Sequence, residues 1–338
     1  MQNNTSESID CPPHLVYVTD EEPGLSRIVN GESEIYLDEE GEELVDKEMI
    51  GRIQNLVIPP NWKDTWICKL ENGHLQCTGR DERNRKQYLY HEDWLEYRQK
   101  SKYSRMVEFG ESLPEIRKKI NKYLEKESFS KIKVLAIAIK LLDLHYLRIG
   151  NDFYLSENET YGLTTLRRRH LEKKDGGLEL SYKGKSNKYR NISIENRKLV
   201  KLLQEVNELP GYEVFRYKEG SERKRIDSAD VNEFIRELSD DQFSAKDFRT
   251  WGGTVSAVDV YPEALAEVKE NPKKKLETAI VRRVSKILGN TVSTAREYYI
   301  HPKVLDFLLE NGTEIKLKNQ KREFFKENEA KVLAILKS

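Results

Sequence analysis

The sequence predicts an α+β protein with two domains: a β-rich N-terminal domain, then a larger, mostly α-helical domain that contains a small antiparallel sheet. Up to residue 98, short apolar runs alternate with Pro, Gly and Asn, as in strands joined by turns. Beyond residue 104 the apolar residues recur with a helical period, which residues 163–194 interrupt with alternating runs. A chain of 338 residues is long enough for two domains with a core each.

The domain boundaries follow from these patterns. Residues 1–98 form the predicted β domain, the polar stretch 99–104 a linker, and residues 105–338 the helical domain. Within the β domain, the predicted strands are residues 15–18, 34–37, 66–68 and 74–77.

The helical domain is predicted to begin with a buried helix. Its apolar residues from Val134 to Leu147 cover a wide face, and Gly150 is the expected C-terminal cap. The small sheet comes next, with strands at residues 163–171, 178–183 and 188–194. Two later helices are expected, at residues 244–258 and from the Asn271-Pro272 cap to Leu288.

The three cysteines favour a reducing compartment over a disulfide framework. Asn72-Gly73 indicates a two-residue hairpin turn that would place Cys68 directly across from Cys77. Even with His74, this pair offers fewer ligands than the four of a structural zinc site. We therefore expect cross-strand packing and no metal at this position.

The longest apolar segment, residues 134–147, is interrupted by charged residues and is too short to span a bilayer. The polar, acidic N-terminus does not have the pattern of a signal peptide. We expect no membrane role, and a location in the cytoplasm or nucleoid, or in the virion or nucleus if the source is viral.

The zero net charge conceals a segregation of charge. Residues 1–98 hold 10 Lys and Arg against 21 Asp and Glu, whereas residues 99–338 hold 48 against 37. A basic cluster at residues 80–86 lies beside Tyr88, Tyr90 and Trp94, and basic residues interleaved with aromatics suit a nucleic acid. A solvated charged surface would have the same composition.

One set of residues would suit attack on a phosphodiester. A tyrosine nucleophile must lose a proton, the phosphate oxygens need donors, and the departing oxygen needs a proton. Arginine is the preferred donor because it stays charged and is planar. The candidates are Tyr299 as nucleophile, Arg148 and Arg249 as charged donors, Asn290 as a neutral donor, and Lys185, at an exposed turn, as general acid.

Each of these residues has an ordinary structural explanation when taken alone. Arginines at helix ends are usually surface or ion-pair residues, and Gly-Asn pairs usually form turns. The chemical requirements alone also do not decide whether Tyr298 or Tyr299 is the nucleophile. On a helix the two side chains would point about 100° apart, so only one of them would face a given phosphate.

Taken in order, these residues resemble the type IB DNA topoisomerases, specifically the small single-chain form of poxviruses, giant viruses and bacteria. The resemblance covers nearly the whole chain and adds Lys246, three residues before Arg249, to the catalytic set. The family's spacing between the residue at position 290 and the nucleophilic tyrosine selects Tyr299 over Tyr298. The matching motifs are 58–62 (IPPNW), 79–83 (GRDER), 85–88 (RKQY) with Tyr90-His91, 158–163 (NETYGL), 184–186 (GKS) and 246–252 (KDFRTWG).

The resemblance implies a monomer that clamps double-stranded DNA and relaxes positive and negative supercoils through a 3′-phosphotyrosyl intermediate. Neither ATP nor a metal ion is implied, so no cofactor is expected. The residues that it places in contact with DNA are Arg80, Arg85, Lys86, Gln87, Tyr88, Tyr90, Tyr154 and Arg168.

Position 290 departs from the poxvirus pattern, which has histidine. Asn290 fits the bacterial members, and a neutral donor should contribute less than a charged one. Two alternatives stay open. One is a tyrosine recombinase, although that class normally has His-x-x-Arg in place of Lys246-x-x-Arg249 and a helical N-terminal domain. The other is a non-catalytic DNA clamp that keeps the fold.

Overall fold

The computed structural model describes residues 11–338 except 31–32, 153–154, 157–158, 241, 316 and 318–322. The chain divides into two compact units, Met1–Lys102 and Tyr103–Ser338. The first contains an antiparallel sheet and the second is mostly helical with a three-stranded antiparallel sheet and a two-stranded one (Arg216–Glu219 with Glu222–Arg225), which confirms the predicted α+β class.

The first unit is built on a five-stranded antiparallel sheet with strand order β2-β1-β3-β4-β5. One short helix, α1 (Lys47–Asn55), lies between β2 and β3 in the chain and is capped by the Asp46 carboxylate. Ile53 of α1 packs in the core of this unit with Ile67 and Cys77. The strands are β1 (Leu25–Asn30), β2 (Ser33–Leu37), β3 (Lys63–Ile67), β4 (Leu75–Arg80) and β5 (Lys86–Tyr90).

Two local predictions for this unit are wrong. Residues 15–18 do not form a strand; only Val16 makes a single bridge, to Gly73. Cys77 lies opposite Ile67 and not opposite Cys68, because β3 and β4 are joined by a longer loop than the two-residue turn expected at Asn72-Gly73.

Ten helices follow β5 in the described part of the chain. Helix α2 begins in the first unit and ends in the second, so residues 99–104, expected to be a linker, are helical. The helices are α2 (Glu92–Leu124), α3 (Lys131–His145), α4 (Arg197–Glu208), α5 (Ser228–Leu238), α6 (Ala245–Asp259), α7 (Tyr261–Glu270), α8 (Leu276–Leu288), α9 (Val292–Tyr299), α10 (Pro302–Asn311) and α11 (Glu327–Lys337). None of these is long and apolar enough to cross a membrane.

Helix α3 is the predicted buried helix, but it ends earlier than expected. Tyr146 takes the left-handed conformation, with φ of 52°, and its N–H donates to the Leu142 carbonyl. Gly150 has another role: its backbone passes so close to Gly162 that a Cβ on Gly162 would lie 2.5 Å from the Gly150 Cα. The Arg148 carbonyl accepts a hydrogen bond of 2.8 Å from the Leu163 N–H, which fixes the chain on either side of this contact.

The small sheet has the order β6-β7-β8, with β6 (Leu171–Lys174), β7 (Gly177–Lys183) and β8 (Tyr189–Ile194). The strand predicted over residues 163–171 is mostly wrong. Two 3-10 turns, Leu163–Thr165 and Arg168–His170, occupy that segment, and residues 162–166 are all buried where a half-exposed strand would alternate.

The helix predicted over residues 244–258 is confirmed as α6, with Ser244 as its N-cap. Helix α8 begins at Leu276, later than the predicted Asn271-Pro272 start. Asn271 instead forms a turn, since its carbonyl accepts from the Lys274 N–H at 3.0 Å.

A buried ion network joins three helices of the second unit. Arg117 of α2 donates to Asp143 of α3 at 2.7 and 2.9 Å and to Glu329 of α11 at 2.6 and 2.8 Å. All three side chains are almost fully buried. Burial raises the pKa of Glu329, but the hydrogen bond and charge of Arg117 outweigh it and hold that pKa below its ordinary value of 4.5.

We predict that Arg117→Met lowers the free energy of unfolding by about 3–5 kcal/mol at neutral pH, because two buried carboxylates lose their cation. In the wild type, the stabilisation from Glu329 should be full above pH 4.5 and decline as the pH falls below it. Urea unfolding across this pH range measures both effects, and Lys118→Met, an exposed neighbour on α2, is the control. Equal stability of Arg117→Met and wild type would contradict the prediction.

Candidate active site

Arg148, Arg249 and Asn290 meet at one point in the second unit. Arg148 lies just after α3, Arg249 lies on α6, and Asn290 follows α8. Both guanidinium groups donate to the Asn290 side-chain oxygen, Arg148 at a short distance and Arg249 at 3.4 Å. The structure therefore brings together three of the residues that the sequence analysis placed in one site.

The turn between α8 and α9 presents Asn290. Gly289 ends α8 in the left-handed conformation, with φ of 65°, and the Asn290 N–H donates to the Ser285 carbonyl at 2.9 Å. The Asn290 side chain is buried. Its oxygen accepts from the two arginines, whereas its amide nitrogen has no hydrogen-bond partner among the residues that the structure describes. A buried donor without an acceptor costs about 1–3 kcal/mol.

Arg249 is only 4% exposed, yet its acceptors among the described residues are neutral. Besides Asn290 it donates to the Tyr146 carbonyl and, at 3.2 Å, to the Leu288 carbonyl, while its Nε has no acceptor in the described part of the chain. Arg148 donates to the Gly289 carbonyl at 3.2 Å. Burial, and then the charge of Arg148, lowers the pKa of Arg249. The cluster therefore suits an anion.

Tyr299 lies beside this cluster at the C-terminal end of α9. The Arg249 guanidinium carbon is 5.1 Å from the centre of the Tyr299 ring. The backbone of Tyr299 is fixed: Thr254 of α6 donates to its carbonyl at 3.2 Å, and a Cβ on Gly253 would lie 2.6 Å from that same oxygen. Tyr103 adds hydrogen bonds to the carbonyls of neighbouring residues.

The two adjacent tyrosines differ in pKa. Burial raises the pKa of Tyr299, but the charge and hydrogen bond of Arg249, with the charges of Arg148 and Lys246, bring it below the ordinary value of 10.0. The pKa of Tyr298 is instead raised, first by a hydrogen bond with Glu297 and then by burial. Tyr299 is therefore the phenol that ionises more readily.

The two candidate lysines are exposed. Lys246 lies in the first turn of α6, one helical turn before Arg249. Lys185 lies in a 3-10 turn, Lys185–Asn187, between β7 and β8. Among the described residues, the hydrogen bonds that join Arg148, Arg249 and Asn290 do not include either lysine.

Two basic residues that the sequence analysis missed contact the turn that carries Asn290. Lys188, just before β8, donates to the Asn290 carbonyl at 2.7 Å, and Arg190 donates to the Ile287 carbonyl at 2.6 Å. A signal was available for Arg190. In a strand whose residues alternate between exposed and buried, Arg190 falls on the buried side with Ile192 and Ile194.

In the first unit, the predicted DNA-contacting residues of β5 divide between its two faces. Lys86, Tyr88 and Tyr90 are exposed on one face, where the two tyrosine rings stack with centres 6.0 Å apart. Gln87 alternates to the other face, and its amide donates to Asp81 at 2.9 Å.

The other predicted contacts are Arg80, Arg85, Arg168 and Tyr154. Arg80 is exposed at the end of β4, and Arg85 forms an ion pair of 2.5 Å with Asp81. Arg168 is exposed in a 3-10 turn of the second unit, where a strand was expected. Tyr154 lies outside the described residues.

Two segments of the sequence match models of known protein families. Residues 87–328 match the family model of the eukaryotic DNA topoisomerase I catalytic core. Residues 35–81 match the N-terminal domain of bacterial DNA topoisomerase IB.

Curated viral proteins are similar over most of their length. The chain is 29% identical over 280 residues to DNA topoisomerase 1B of Acanthamoeba polyphaga mimivirus, which covers 81% of each chain. It is 25% identical over 264 residues to DNA topoisomerase 1B of vaccinia virus (strain Copenhagen), covering 76% of this chain and 81% of the viral one. DNA topoisomerase 1 of rabbit fibroma virus is 23% identical over 236 residues, with coverage of 69% and 72%.

We predict that Tyr299 ionises at lower pH than Tyr298, and that Arg249→Met raises the pKa of Tyr299, because the largest of the charges that oppose the effect of burial is then lost. NMR titration of isotope-labelled tyrosine measures both, with Tyr298→Phe and Tyr299→Phe to assign the two resonances. Arg296→Met, on α9 and ion-paired with Glu277, is the control that should leave Tyr299 unchanged. A Tyr299 pKa above that of Tyr298 would contradict the assignment.

Proposed function

Because this chain belongs to the type IB DNA topoisomerase family, we propose that it relaxes supercoiled double-stranded DNA through a transient covalent bond between Tyr299 and a backbone phosphate. The residue assignment rests on the group of buried and half-buried donors around Asn290. Two arginines and an asparagine present nitrogen atoms to one region, where their acceptors among the described residues are neutral and two of the nitrogens have none. A phosphate oxygen would satisfy them.

In the proposed cleavage step, the Tyr299 oxygen forms a bond to phosphorus as the bond from phosphorus to the 5′ oxygen breaks. The phenol gives its proton to solvent water, which the charge of Arg249 favours by lowering the pKa of Tyr299 against the effect of burial. Lys185 donates a proton to the departing 5′ oxygen, so the products are a 3′-phosphotyrosyl bond and a free 5′-hydroxyl. Religation is the reverse reaction.

Arg148, Arg249 and Asn290 would stabilise the charge that develops on the other phosphate oxygens. Donors fixed in a site from which water is excluded are worth more than donors in water, and here they are held by the backbone carbonyls that bracket the site. Lys246 adds a nearby exposed charge. Guanidinium and ammonium groups thus supply the charge neutralisation that metal ions supply in many phosphoryl transfers.

The covalent bond explains how relaxation proceeds without ATP. The phosphotyrosyl linkage conserves the energy of the broken phosphodiester, and the free 5′ end rotates until the hydroxyl attacks the phosphotyrosine. Supercoils of either sign are relaxed, since the strain in the DNA drives the rotation.

DNA binding would involve both units. The exposed face of β5 offers the stacked pair Tyr88 and Tyr90 to the sugars, and Lys86 to the backbone if it exchanges its 2.5 Å ion pair with Asp20 for a phosphate. Arg168 offers a second exposed charge. We propose that one copy of the chain clamps one duplex, in the nucleoid of a bacterium or in the virion or nucleus for a virus.

The two alternatives are less well supported. A tyrosine recombinase would normally have a helical N-terminal domain, whereas the first unit here is a five-stranded sheet. A non-catalytic clamp would have no use for a buried, cation-rich site next to a tyrosine of lowered pKa.

We predict that Tyr299→Phe abolishes relaxation of positively and negatively supercoiled plasmid, assayed in EDTA without ATP, while DNA binding stays near wild type. The reason is that phenylalanine keeps the ring but lacks the nucleophilic oxygen. Tyr298→Phe is the matched control and should relax both plasmids. Loss of activity in Tyr298→Phe with activity retained in Tyr299→Phe would reverse the assignment.

We predict that Lys185→Ala slows cleavage of a normal strand by roughly 10²–10⁴-fold, the usual contribution of a general acid. A substrate with sulfur in place of the bridging 5′ oxygen should be cleaved by Lys185→Ala at close to the wild-type rate, because a thiolate leaves without a proton. Single-turnover cleavage of the two substrates measures this. Equal slowing on both would remove Lys185 from the role of acid.

A further inference from the structure

The segment from Lys188 to Arg190, where β8 begins, is hydrogen-bonded at two points to the end of α8 and the turn that follows it. The Lys188 ammonium donates to the Asn290 carbonyl at 2.7 Å. The Arg190 guanidinium donates to the Ile287 carbonyl at 2.6 Å, at the end of α8. The two residues thus connect the small sheet to the phosphate-binding turn by side chains from one short segment.

The same segment is bound to the turn that carries Lys185. The Lys188 N–H caps this 3-10 turn by donating to the Lys185 carbonyl at 3.5 Å. The Gly184 N–H donates to the Lys188 carbonyl at 2.8 Å, which closes the turn on its other side. Lys188 is therefore bonded through its backbone to the Lys185 turn and through its side chain to the Asn290 turn.

Arg190 packs closely against the turn that carries Asn290. It is only 8% exposed, and its stem fills the space above Gly289, where a Cβ would lie 2.7 Å from the Arg190 Cδ. Gly289 also has a φ of 65°, a conformation that favours glycine. The close approach of β8 to the Asn290 turn thus depends on both the buried side chain of Arg190 and the absence of a side chain at Gly289.

We propose that Lys188 and Arg190 are positioning residues that hold Lys185 at the correct distance from the phosphate bound at Asn290. The proposal rests on the proposed function, in which Lys185 must reach the 5′ oxygen while Asn290 holds another oxygen of the same phosphate. A general acid acts only within hydrogen-bonding reach of the leaving atom, and a misplacement of about 1 Å costs up to about 100-fold in rate.

The test exploits the fact that positioning of the acid matters only when the leaving group needs a proton. Lys188→Met keeps the length of the side chain and removes the donor, while Lys188→Arg keeps a donor. Lys173→Met, on the exposed side of β6, is the matched control. Single-turnover cleavage is measured on a normal duplex and on one with a bridging 5′ sulfur, with Lys185→Ala alongside.

We expect Lys188→Met to cleave the normal duplex about 10-fold to 100-fold more slowly than wild type and the sulfur duplex within about twofold of wild type. Lys188→Arg should recover most of the rate on the normal duplex, and Lys173→Met should match wild type on both. Arg190→Lys should behave like Lys188→Met, provided that the Arg190→Lys variant folds. If the Arg190→Lys variant does not fold, Lys188→Met alone decides the proposal.

Three results would overturn the proposal. Equal slowing of Lys188→Met on both duplexes would mean that Lys188 supports Asn290 or the fold and not the acid. An unchanged rate on the normal duplex would mean that the contact has no role in cleavage. If the sulfur duplex fails to rescue Lys185→Ala itself, the proposed role of Lys185 fails first, and that of Lys188 fails with it.

Discussion

The half-buried Arg148 and the buried Arg249 both donate to the side-chain oxygen of Asn290, and neither guanidinium bonds a carboxylate among the described residues. Buried cations are normally matched by anions, because desolvation is otherwise costly. Here the compensation comes from the carbonyls of Tyr146 and Leu288, and two buried nitrogens have no acceptor among the described residues. In the proposed function an incoming phosphate supplies the missing negative charge, and the same two guanidinium groups lower the pKa of Tyr299.

A second buried arginine in the same unit is, by contrast, paired with carboxylates. Arg117 is also buried, but Asp143 and Glu329 satisfy it on both sides. Trp251, two residues after Arg249 on α6, lies within 3.4 Å of Glu329. The Arg117 network, whose charges are balanced, therefore holds helix α6, which carries Arg249. Arg117 contributes to the stability of this unit, whereas Arg249 is available for the proposed reaction.

The sequence predicted the architecture, because the period of apolar residues in strands and helices is a local pattern. Its ordered motifs also named a set of candidate site residues, of which the structure brings Arg148, Arg249 and Asn290 together. It did not predict that α3 stops at a left-handed Tyr146, or that residues 163–170 form 3-10 turns, since packing against distant segments decides both. Chemistry alone also left Tyr298 and Tyr299 equivalent. The contacts of Lys188 join residues about a hundred positions apart, and no local pattern reports them.

The most direct test of the account is to trap the covalent complex with a short duplex, digest it, and locate the attached nucleotide by mass spectrometry. Tyr298 and Tyr299 lie on one tryptic peptide between Arg296 and Lys303, so fragmentation of that peptide decides between them. The account predicts a 3′-phosphate bonded to Tyr299 and a free 5′-hydroxyl on the departing strand. Attachment at Tyr298, or at any residue away from the arginine cluster, would contradict it.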